Sequence, residues 1–316
     1  MTAVWILLGV LAVLAVAVLA VTAYFLRFAI GHPKPLDYTD KEALRSTSWG
    51  LCADELAETL RRVRATRSIR TVTTRGFDGA ELHGDWISCG QPTERLMILF
   101  HGWHGSQYAD FGLILEHYLD DLHADVLLAE QRAHGQSREP YTGFGIWERH
   151  DCVSWADYAV RECGENVRIL LGGISMGATT VMLASAYDLP HVKGIVADCG
   201  FTSPWEEFAH VLRSRHLPVF PVLPLADVLC RLKAHYGLKE VSAPDALRRA
   251  TLPMLFLHGT ADRFVPCEMG KRNFEACASA DKELLLVEGA GHGQSYPVDR
   301  ARVRAALDAF VARIGL

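Results

Sequence analysis

The chain contains 316 residues, of which 50% are hydrophobic and 22% are charged, and its formal net charge at pH 7 is −5. A chain of this length can form one large α/β core without dividing into two domains. The acidic balance argues against a nucleic-acid partner, because a nucleic-acid-binding surface requires a surplus of Lys and Arg.

The first predicted element is the segment from Val4 to Leu26, which is apolar apart from Thr22 and Tyr24. Its length matches that of a helix crossing the hydrocarbon core of a bilayer. A cleaved secretory signal is the alternative. Such a signal has a basic N-terminal region, however, whereas no Lys or Arg precedes Val4. We therefore predict a retained transmembrane anchor at residues 1–30.

The charges that flank this segment predict its orientation. The first basic residues all follow it: Arg27, Lys34, Lys41 and Arg45. By the positive-inside rule, the rest of the chain should face the cytoplasm. The eight cysteines agree with a reducing compartment, because they are scattered without C-x-x-C pairs or metal-ligand spacing.

Residues 31–67 are predicted to form a linker and an amphipathic helix. A glycine and two prolines between residues 31 and 35 interrupt the apolar helix. From Cys52 to Arg67, apolar residues recur at helical spacing, with arginines on the opposite face. These apolar residues are Leu56, Leu60 and Val63.

The remaining residues, 68–316, alternate short apolar strands with helical patterns. Alternating residues at 68–74 and 81–87 predict an antiparallel hairpin with its turn at Asp78-Gly79. Six more strands are predicted at residues 96–100, 126–128, 167–171, 192–197, 254–257 and 284–287. Because helical patterns lie between most of them, we expect an α/β fold with a mostly parallel sheet. A helix with one apolar face is predicted at 299–314.

The strand predicted at residues 167–171 runs into Gly173-Ile-Ser175-Met-Gly177, and a helix of small residues follows. This pattern is typical of a nucleophile elbow, a sharp strand-to-helix turn that holds a serine hydroxyl above the sheet edge. Glycines are needed on both sides because side chains there would collide with the tight turn. The N–H groups at the start of the helix would stabilise a developing oxyanion.

A nucleophilic serine needs a histidine base and an acid that orients it, in the chain order Ser, Asp or Glu, His. Asp262 follows the strand predicted at residues 254–257. His292 lies in a glycine-rich loop after the strand predicted at residues 284–287. Both stand just past the end of a strand, where open α/β sheets build their sites. Asp198, at the end of another predicted strand, is an alternative partner for His292.

Several loops resemble those of the α/β-hydrolase superfamily, over roughly residues 68–316. The segment at residues 99–106 is similar to the oxyanion-loop HG motif of that family. Residues 130–137 are similar to its D-x-R-G-H-G-x-S segment, with two substitutions, and this segment is mainly architectural. The loops around Asp262 and His292 match the family's acid and histidine loops closely.

The resemblance implies an α/β-hydrolase fold, with an eight-stranded, mostly parallel sheet flanked by helices. The triad would consist of Ser175, Asp262 and His292. The oxyanion hole would consist of the backbone N–H groups of Trp103 and Met176. This chemistry requires no metal and no organic cofactor.

An insertion at about residues 201–245 stands where the superfamily commonly carries a helical lid. It is apolar and interrupted by prolines, which suits a wall for an acyl or aromatic group. We predict that Trp205, Phe220 and Leu223 contact the substrate from this wall. A helical cap that only covers the sheet edge is the alternative.

Other polar residues could also belong to a site. His101 and His104 have the spacing of metal ligands, but no H-E-x-x-H motif accompanies them, so we interpret them as oxyanion-loop residues. Cys199 is better explained as a packing thiol. Glu148 and Asp151, one helical turn apart, are interpreted as solvated charges of a helix.

The chemistry predicted from these residues is acyl transfer to water through an acyl-enzyme on Ser175. Because the insertion is apolar, we expect a small-molecule or lipid acyl ester as the substrate. One alternative is a membrane-surface thioesterase or lipase, as among the membrane-anchored α/β-hydrolase-domain proteins that this layout resembles. A serine aminopeptidase is another. A non-catalytic binding protein on the same scaffold is the contrasting class.

Overall fold

The computed structural model describes residues 1–33, 40–45 and 49–316. Two parts of the predicted linker, residues 34–39 and 46–48, lie outside the described residues. The strands are β1 (Ile69–Arg75), β2 (Glu81–Ile87), β3 (Arg95–Phe100), β4 (Asp125–Ala129), β5 (Arg168–Ile174), β6 (Val192–Asp198), β7 (Met254–Gly259) and β8 (Lys282–Val287).

The α-helices of the N-terminal half are α1 (Thr2–Ile30), α2 (Lys41–Arg45), α3 (Ala53–Thr66), α4 (Gln107–Phe111) and α5 (Glu148–Cys163). Those of the C-terminal half are α6 (Met176–Ala184), α7 (Pro204–Ser214), α8 (Val222–Ala234), α9 (Ala243–Leu247), α10 (Cys267–Ala276), α11 (Ser295–Val298) and α12 (Arg300–Arg313). The predicted amphipathic and C-terminal helices are confirmed as α3 and α12.

All eight strands form one sheet, in the order β1-β2-β4-β3-β5-β6-β7-β8. β1 pairs antiparallel with β2, as the hairpin prediction requires, and β2 pairs antiparallel with β4. The other neighbouring strands are parallel. The predicted α/β-hydrolase fold is thereby confirmed. The carboxyl ends of the parallel strands meet at one edge of the sheet, which is where such sheets bind their ligands.

Alternate residues of β3 separate the core into two layers. Met97 and Leu99 belong to the layer between the sheet and helices α3 and α12. Leu96, Ile98 and Phe100 belong to the opposite layer, beneath α5 and α6. The alternation follows the two-residue period of a strand. Because both faces are covered by helices, β3 is apolar throughout its buried length.

Helices α7, α8 and α9 form the insertion between β6 and β7. The Ser203 side chain caps α7, and Pro204 stands in the first turn, where a helix loses nothing by lacking an N–H group. Leu223 of α8 is fully buried in a third apolar cluster. Leu26 and Ile30 of α1 belong to the same cluster. The end of the N-terminal helix is therefore packed against the insertion.

Helix α1 is long and apolar enough to cross a membrane. A signal sequence can have the same length and composition. Its described side chains before Thr22 are exposed or partly exposed. Its last carbonyls, which have no partner within the helix, accept hydrogen bonds from the domain. The Trp103 indole N–H donates to the Ala29 carbonyl at 2.6 Å, and the Thr142 N–H donates to the Ile30 carbonyl at 2.9 Å. Among the described residues of α1, those in its last turns are the ones docked in this way.

Candidate active site

Ser175 lies in a strained turn between β5 and α6. Its φ is 56° and its ψ is −114°, a backbone conformation that L-residues rarely adopt. The flanking glycines make this turn possible. A Cβ atom on Gly173 would lie 2.2 Å from the Gly177 carbonyl, and one on Gly177 would lie 1.8 Å from the Phe100 oxygen. The sequence pattern therefore folds as the sharp elbow that was predicted.

Ser175, His292 and Asp262 form one chain of hydrogen bonds. His292 Nε2 lies 2.9 Å from Ser175 Oγ, and His292 Nδ1 lies 2.8 Å from Asp262 Oδ2. Because an ionised carboxylate only accepts hydrogen bonds, the Nδ1 atom carries the proton and Nε2 is free to accept one from the serine hydroxyl. The structure thus brings together the three residues that the sequence selected.

The carboxylate of Asp262 is held in its ionised form. Burial alone would raise its pKa, but hydrogen bonds and charge from His258 and His292 outweigh burial and lower the pKa to about 2. Asp262 Oδ1 also accepts from the backbone N–H groups of Phe264 and Val265, at 2.9 and 3.0 Å. These bonds fix the orientation of the carboxylate toward His292.

Asp198, the alternative acid, has a different partner. Its Oδ1 accepts a hydrogen bond from the Ser295 hydroxyl at 2.8 Å. Burial raises the pKa of Asp198, although Ser295 opposes that rise. In this arrangement His292 is paired with Asp262. The geometry therefore favours Asp262 as the orienting acid.

The loop after β3 lies next to Ser175. A Cβ atom built on Gly102 would approach Ser175 Cβ to 3.3 Å. The Gly102 N–H donates to Asp110 Oδ2 at 2.6 Å, so this amide is already engaged. Within the part of the chain that the structure describes, no protein acceptor pairs with the backbone N–H of Trp103 or of Met176. These two amides, the predicted oxyanion donors, remain available to a ligand.

His101 and His104 help to hold this loop. His101 Nδ1 lies 2.8 Å from the Gly102 carbonyl, and His101 Nε2 accepts from the Gln131 N–H at 3.1 Å. Burial lowers the pKa of His101 to about 4, so its ring is neutral. The His104 ring stacks on Trp103 at 3.9 Å between centroids. Both histidines are therefore used within the loop, as the oxyanion-loop interpretation expected.

The interpretation of Glu148 and Asp151 as solvated charges is wrong. Both side chains are buried, at 1% and 3% exposure. Glu148 accepts hydrogen bonds from the N–H groups of Gly143 and Gly145, at 2.6 and 2.8 Å. Asp151 accepts hydrogen bonds from Nε and Nη2 of Arg132, at 2.7 and 2.6 Å. A buried carboxylate needs such partners, and these two brace the loops beside the site.

The structure describes one cluster that could offer three atoms to a metal ion. Potential ligand atoms of Cys199, Asp262 and His292 lie within 4.8 Å of one another. Asp262 and His292 already form a hydrogen bond with each other. Burial raises the pKa of the Cys199 thiol well above its usual value, which keeps the sulfur protonated and a poor ligand.

A cavity of about 340 Å³ adjoins Ser175. Its size falls in the range of small-molecule sites. Besides Ser175, its lining comprises Val21, Tyr24, Phe25, Phe28 and Ala29 of α1, the loop residues Trp103, Phe144, Phe201 and Phe264, and Glu207, Phe208, Val211, Arg215 and Leu217 from α7 and the segment after it. Most of these side chains are apolar, so the cavity suits a hydrocarbon group.

The predicted substrate contacts need a correction, because Trp205, Phe220 and Leu223 do not line this cavity. Phe220 is 80% exposed, whereas Leu223 is fully buried in the apolar cluster beneath the insertion. The Trp205 ring lies against the ammonium group of Lys239, at 3.8 Å. The insertion does form a wall, but α7 turns a different helical face toward Ser175.

Sequence reasoning missed the contribution of α1 and of Glu207 to the cavity. An apolar segment at an N-terminus predicts a membrane span. Nothing in its pattern indicates which of its residues would dock beside a site about 150 positions further along the chain. Sequence reasoning also passed over Glu207. The available signal was its position four residues before Val211, which places both on one face of α7.

Two sequence profiles match parts of this chain. One, described as the alpha/beta hydrolase fold, matches residues 95–217. The other, described as serine aminopeptidase S33, matches residues 241–295. The first includes Ser175, and the second includes Asp262 and His292. Together they span the sheet edge on which the hydrogen-bonded chain is built.

Individual proteins are similar over comparable lengths. YqkD of Bacillus subtilis, which is uncharacterised, is 31% identical over 197 residues, 62% of this chain and 64% of that protein. The match therefore covers a little less than two thirds of this relative. The monoglyceride lipase of Mus musculus is 26% identical over 242 residues, covering 66% of this chain and 78% of the lipase.

Solved structures show the same fold. The esterase Pf2001 of Pyrococcus furiosus superposes with a TM-score of 0.64 at 22% identity, covering 79% of this chain and 94% of the esterase. Est1E from Butyrivibrio proteoclasticus superposes with a TM-score of 0.57 at 18% identity, covering 77% and 98% of the two chains. At these identities, the likeness establishes the architecture.

Proposed function

Because this chain belongs to the α/β-hydrolase superfamily, we propose that it is a serine hydrolase that cleaves carboxylic esters. The observation that carries the proposal is the hydrogen-bonded chain from Ser175 through His292 to Asp262. An esterase and a monoglyceride lipase among its relatives support an ester as the scissile group.

The reaction proceeds in two acyl transfers. Ser175 Oγ attacks the ester carbonyl carbon while His292 Nε2 accepts the hydroxyl proton. The same nitrogen then donates that proton to the departing alcohol, which leaves an acyl group on Ser175. A water molecule, deprotonated by His292, releases the carboxylic acid and restores the serine.

The remaining groups stabilise the charges that develop. Asp262 keeps the imidazole in the correct tautomer and stabilises the imidazolium. The backbone N–H groups of Trp103 and Met176 donate to the tetrahedral oxyanion, where one donor typically contributes about 3–4 kcal/mol. All groups needed for this chemistry belong to the chain itself.

The test is hydrolysis of p-nitrophenyl esters together with labelling by a fluorophosphonate. Ser175→Ala should lose at least about a thousandfold in kcat and should no longer be labelled. Its thermal unfolding should stay close to that of the wild type. Labelling of the variant at the wild-type rate would contradict the assignment of Ser175.

We also propose that α1 is a retained, single-pass anchor and that the hydrolase domain faces the cytoplasm. The docked end of the helix supports retention, because loss of α1 would remove Leu26 and Ile30, which are 3% and 1% exposed, and would uncover the apolar cluster packed against them. Protease added to intact spheroplasts should spare the domain and should digest it after lysis. Digestion before lysis, or a mature N-terminus beyond about residue 23, would contradict this topology.

A lipase or thioesterase acting at the membrane surface is the second candidate. The specific observation in its favour is that α1 lines the cavity containing Ser175. An aminopeptidase has weaker support, since it rests on the description of one profile over residues 241–295. Comparing long-chain lipid esters, acyl thioesters and aminoacyl anilides on the same preparation would rank the three.

A further inference from the structure

The apolar helix α1 forms one wall of the cavity beside Ser175. Phe25 of α1 faces Phe208 of α7, with ring centroids 6.1 Å apart in an edge-to-face arrangement. Phe28 packs edge-to-face on Trp103 at 5.5 Å, in the loop that carries a proposed oxyanion donor. This wall is therefore aromatic and apolar, and it reaches the proposed catalytic loop.

The exposure of the lining residues defines where the cavity opens. Val21 and Tyr24 of α1 are 51% and 77% exposed, whereas Phe208 and Ser175 are 5% and 4% exposed. The exposed residues mark the mouth, and the buried ones mark the floor. A ligand would therefore enter beside the helix and extend inward to the serine.

The same residues mark the level at which α1 would leave a bilayer. The stretch before Thr22 comprises about 20 residues, and a helix of that length spans roughly 30 Å, the thickness of the hydrocarbon core. Tyr24 and Arg27 follow directly, and Tyr and Arg are typical of the interface on the cytoplasmic side. The mouth at Val21 and Tyr24 then lies where hydrocarbon meets the lipid headgroups.

We propose that the substrate is an ester lipid resident in the bilayer, and that its acyl chain enters between α1 and α7 to lie against Phe25 and Phe28. The membrane anchor is then part of the substrate site and helps to set chain-length preference. This inference rests on the proposed function of Ser175. It adds the substrate class and the residues that select it.

The test uses the full chain in phosphatidylcholine vesicles, with p-nitrophenyl butyrate and p-nitrophenyl palmitate as substrates. Phe25→Ala and Phe28→Ala should lower the palmitate-to-butyrate ratio of kcat/KM by about tenfold, the scale expected for a few lost methylene contacts. Leu11→Ala is the matched control on the same helix, outside the cavity, and should leave the ratio unchanged. Fluorophosphonate labelling of Ser175 is measured on every sample.

The labelling separates the two ways of failing. If the wild type is not labelled, the proposed function is wrong. If all variants are labelled and the palmitate-to-butyrate ratio is the same in Phe25→Ala, Phe28→Ala and Leu11→Ala, then α1 does not select the chain. A fall in the ratio in Leu11→Ala equal to that in Phe25→Ala would also overturn the inference, because it would report membrane insertion alone.

Glu207 is a buried carboxyl in the same cavity. It is 3% exposed, and within the described part of the chain neither of its side-chain oxygens has a hydrogen-bond partner. Burial raises its pKa well above the usual value, and the nearby charge of Asp262 raises it further. Burial therefore favours the protonated form of this carboxyl, which can donate one hydrogen bond and accept another.

An orphaned polar group inside an apolar cavity is stabilised when a ligand supplies its partner. We infer that Glu207 binds a hydroxyl group on the substrate, so that the preferred lipid is an ester whose alcohol portion keeps a free hydroxyl. This inference depends on the orientation of α7 and not on α1. Like the inference about the acyl chain, it rests on the proposed role of Ser175.

The test compares a monoacylglycerol with the methyl ester of the same fatty acid. Glu207→Leu should lower the monoacylglycerol-to-methyl-ester ratio of kcat/KM by about tenfold, the equivalent of one hydrogen bond. Glu207→Gln keeps a donor, an acceptor and the shape, and should retain most of the preference. Equal losses on both esters in Glu207→Leu, or a Glu207→Gln variant as impaired as Glu207→Leu, would overturn the inference. Fluorophosphonate labelling again reports the proposed function separately.

Discussion

The carboxyl edge of the sheet and the cavity wall above it meet at Ser175, but they are built differently. At the sheet edge, the backbone is packed so closely that the elbow glycines leave no room for a side chain. A Cβ atom on Gly177 would come within 1.8 Å of the Phe100 carbonyl. At the wall, α1 and α7 meet through side chains such as Phe25 and Phe208. The sheet edge therefore fixes the geometry of the reacting groups. Single substitutions in the cavity wall can change substrate selectivity without disturbing that geometry.

The largest effect should come from the acid at the sheet edge. Asp262→Asn should lower kcat/KM by about 10⁴-fold, because a neutral amide favours the wrong tautomer of His292. Asp198→Asn is the matched control, since Asp198 bonds to Ser295 instead. Steady-state kinetics on one short ester compares the two variants. A larger loss in Asp198→Asn would move the acid to the end of β6.

The second prediction compares two phenylalanines of the insertion. Phe208 is buried in the cavity wall, whereas Phe220 is 80% exposed and outside it. Phe208→Ala should change the preference between short-chain and long-chain esters by roughly 1–3 kcal/mol, and Phe220→Ala should not. A chain-length series on both variants measures this. If Phe220→Ala gives the larger change, the wall has been assigned to the wrong part of the insertion.

The contrast between edge and wall also explains what the sequence could predict. The strands, the elbow at Ser175 and the loops of Asp262 and His292 follow from short patterns, because each depends on neighbours a few positions away. The failure at Phe220 and Leu223 came from treating proline-broken apolar content as cavity lining. Which face of α7 or α1 meets Ser175 depends on packing between distant segments, and local periodicity does not encode that packing.

The burial of Glu148 and Asp151 likewise depends on partners from other segments. Their spacing of one helical turn led us to predict two solvent-exposed charges on a helix. In the structure their partners are Arg132 and the backbone amides of a loop. Burial of a carboxylate is tolerated once those donors are present. The sequence contains the partners without indicating that they meet.

The third prediction concerns the junction between the two regions. Trp103→Phe keeps an aromatic ring but removes the indole N–H that donates to the Ala29 carbonyl. Leaving that carbonyl unpaired should lower the free energy of unfolding by about 1–3 kcal/mol. Trp205→Phe is the control, because its ring contact with Lys239 survives the exchange. Thermal unfolding in detergent compares them, and equal midpoints would show that this bond does not hold α1 to the domain.

The fourth prediction concerns a pH-dependent effect in the wall, which disappears at acidic pH. The pKa of Glu207 is raised in the folded state by burial and by Asp262, while Arg215 lines the same cavity as a cation. The folded protein then keeps a proton that the unfolded chain loses above about pH 4, so this group lowers stability as pH rises.

Glu207→Gln has no proton to lose and should therefore be more stable than the wild type at about pH 8, by roughly 1–3 kcal/mol. Near pH 4 the difference should be small, because the wild-type carboxyl is then protonated in both states. Unfolding midpoints at the two pH values measure this. A difference that is larger at the acidic pH would contradict a raised pKa for Glu207.

Trapping the acyl-enzyme tests most directly whether Ser175 is the nucleophile and whether α1 helps to bind the acyl chain. Full-length protein in vesicles is mixed with p-nitrophenyl palmitate, quenched in acid during the first turnover, digested and analysed by mass spectrometry. We expect a palmitoyl group on the peptide containing Ser175, and a much smaller yield of that adduct in Phe25→Ala than in Leu11→Ala. An acyl group on another residue, or hydrolysis without any adduct on Ser175 during a measured burst, would contradict it.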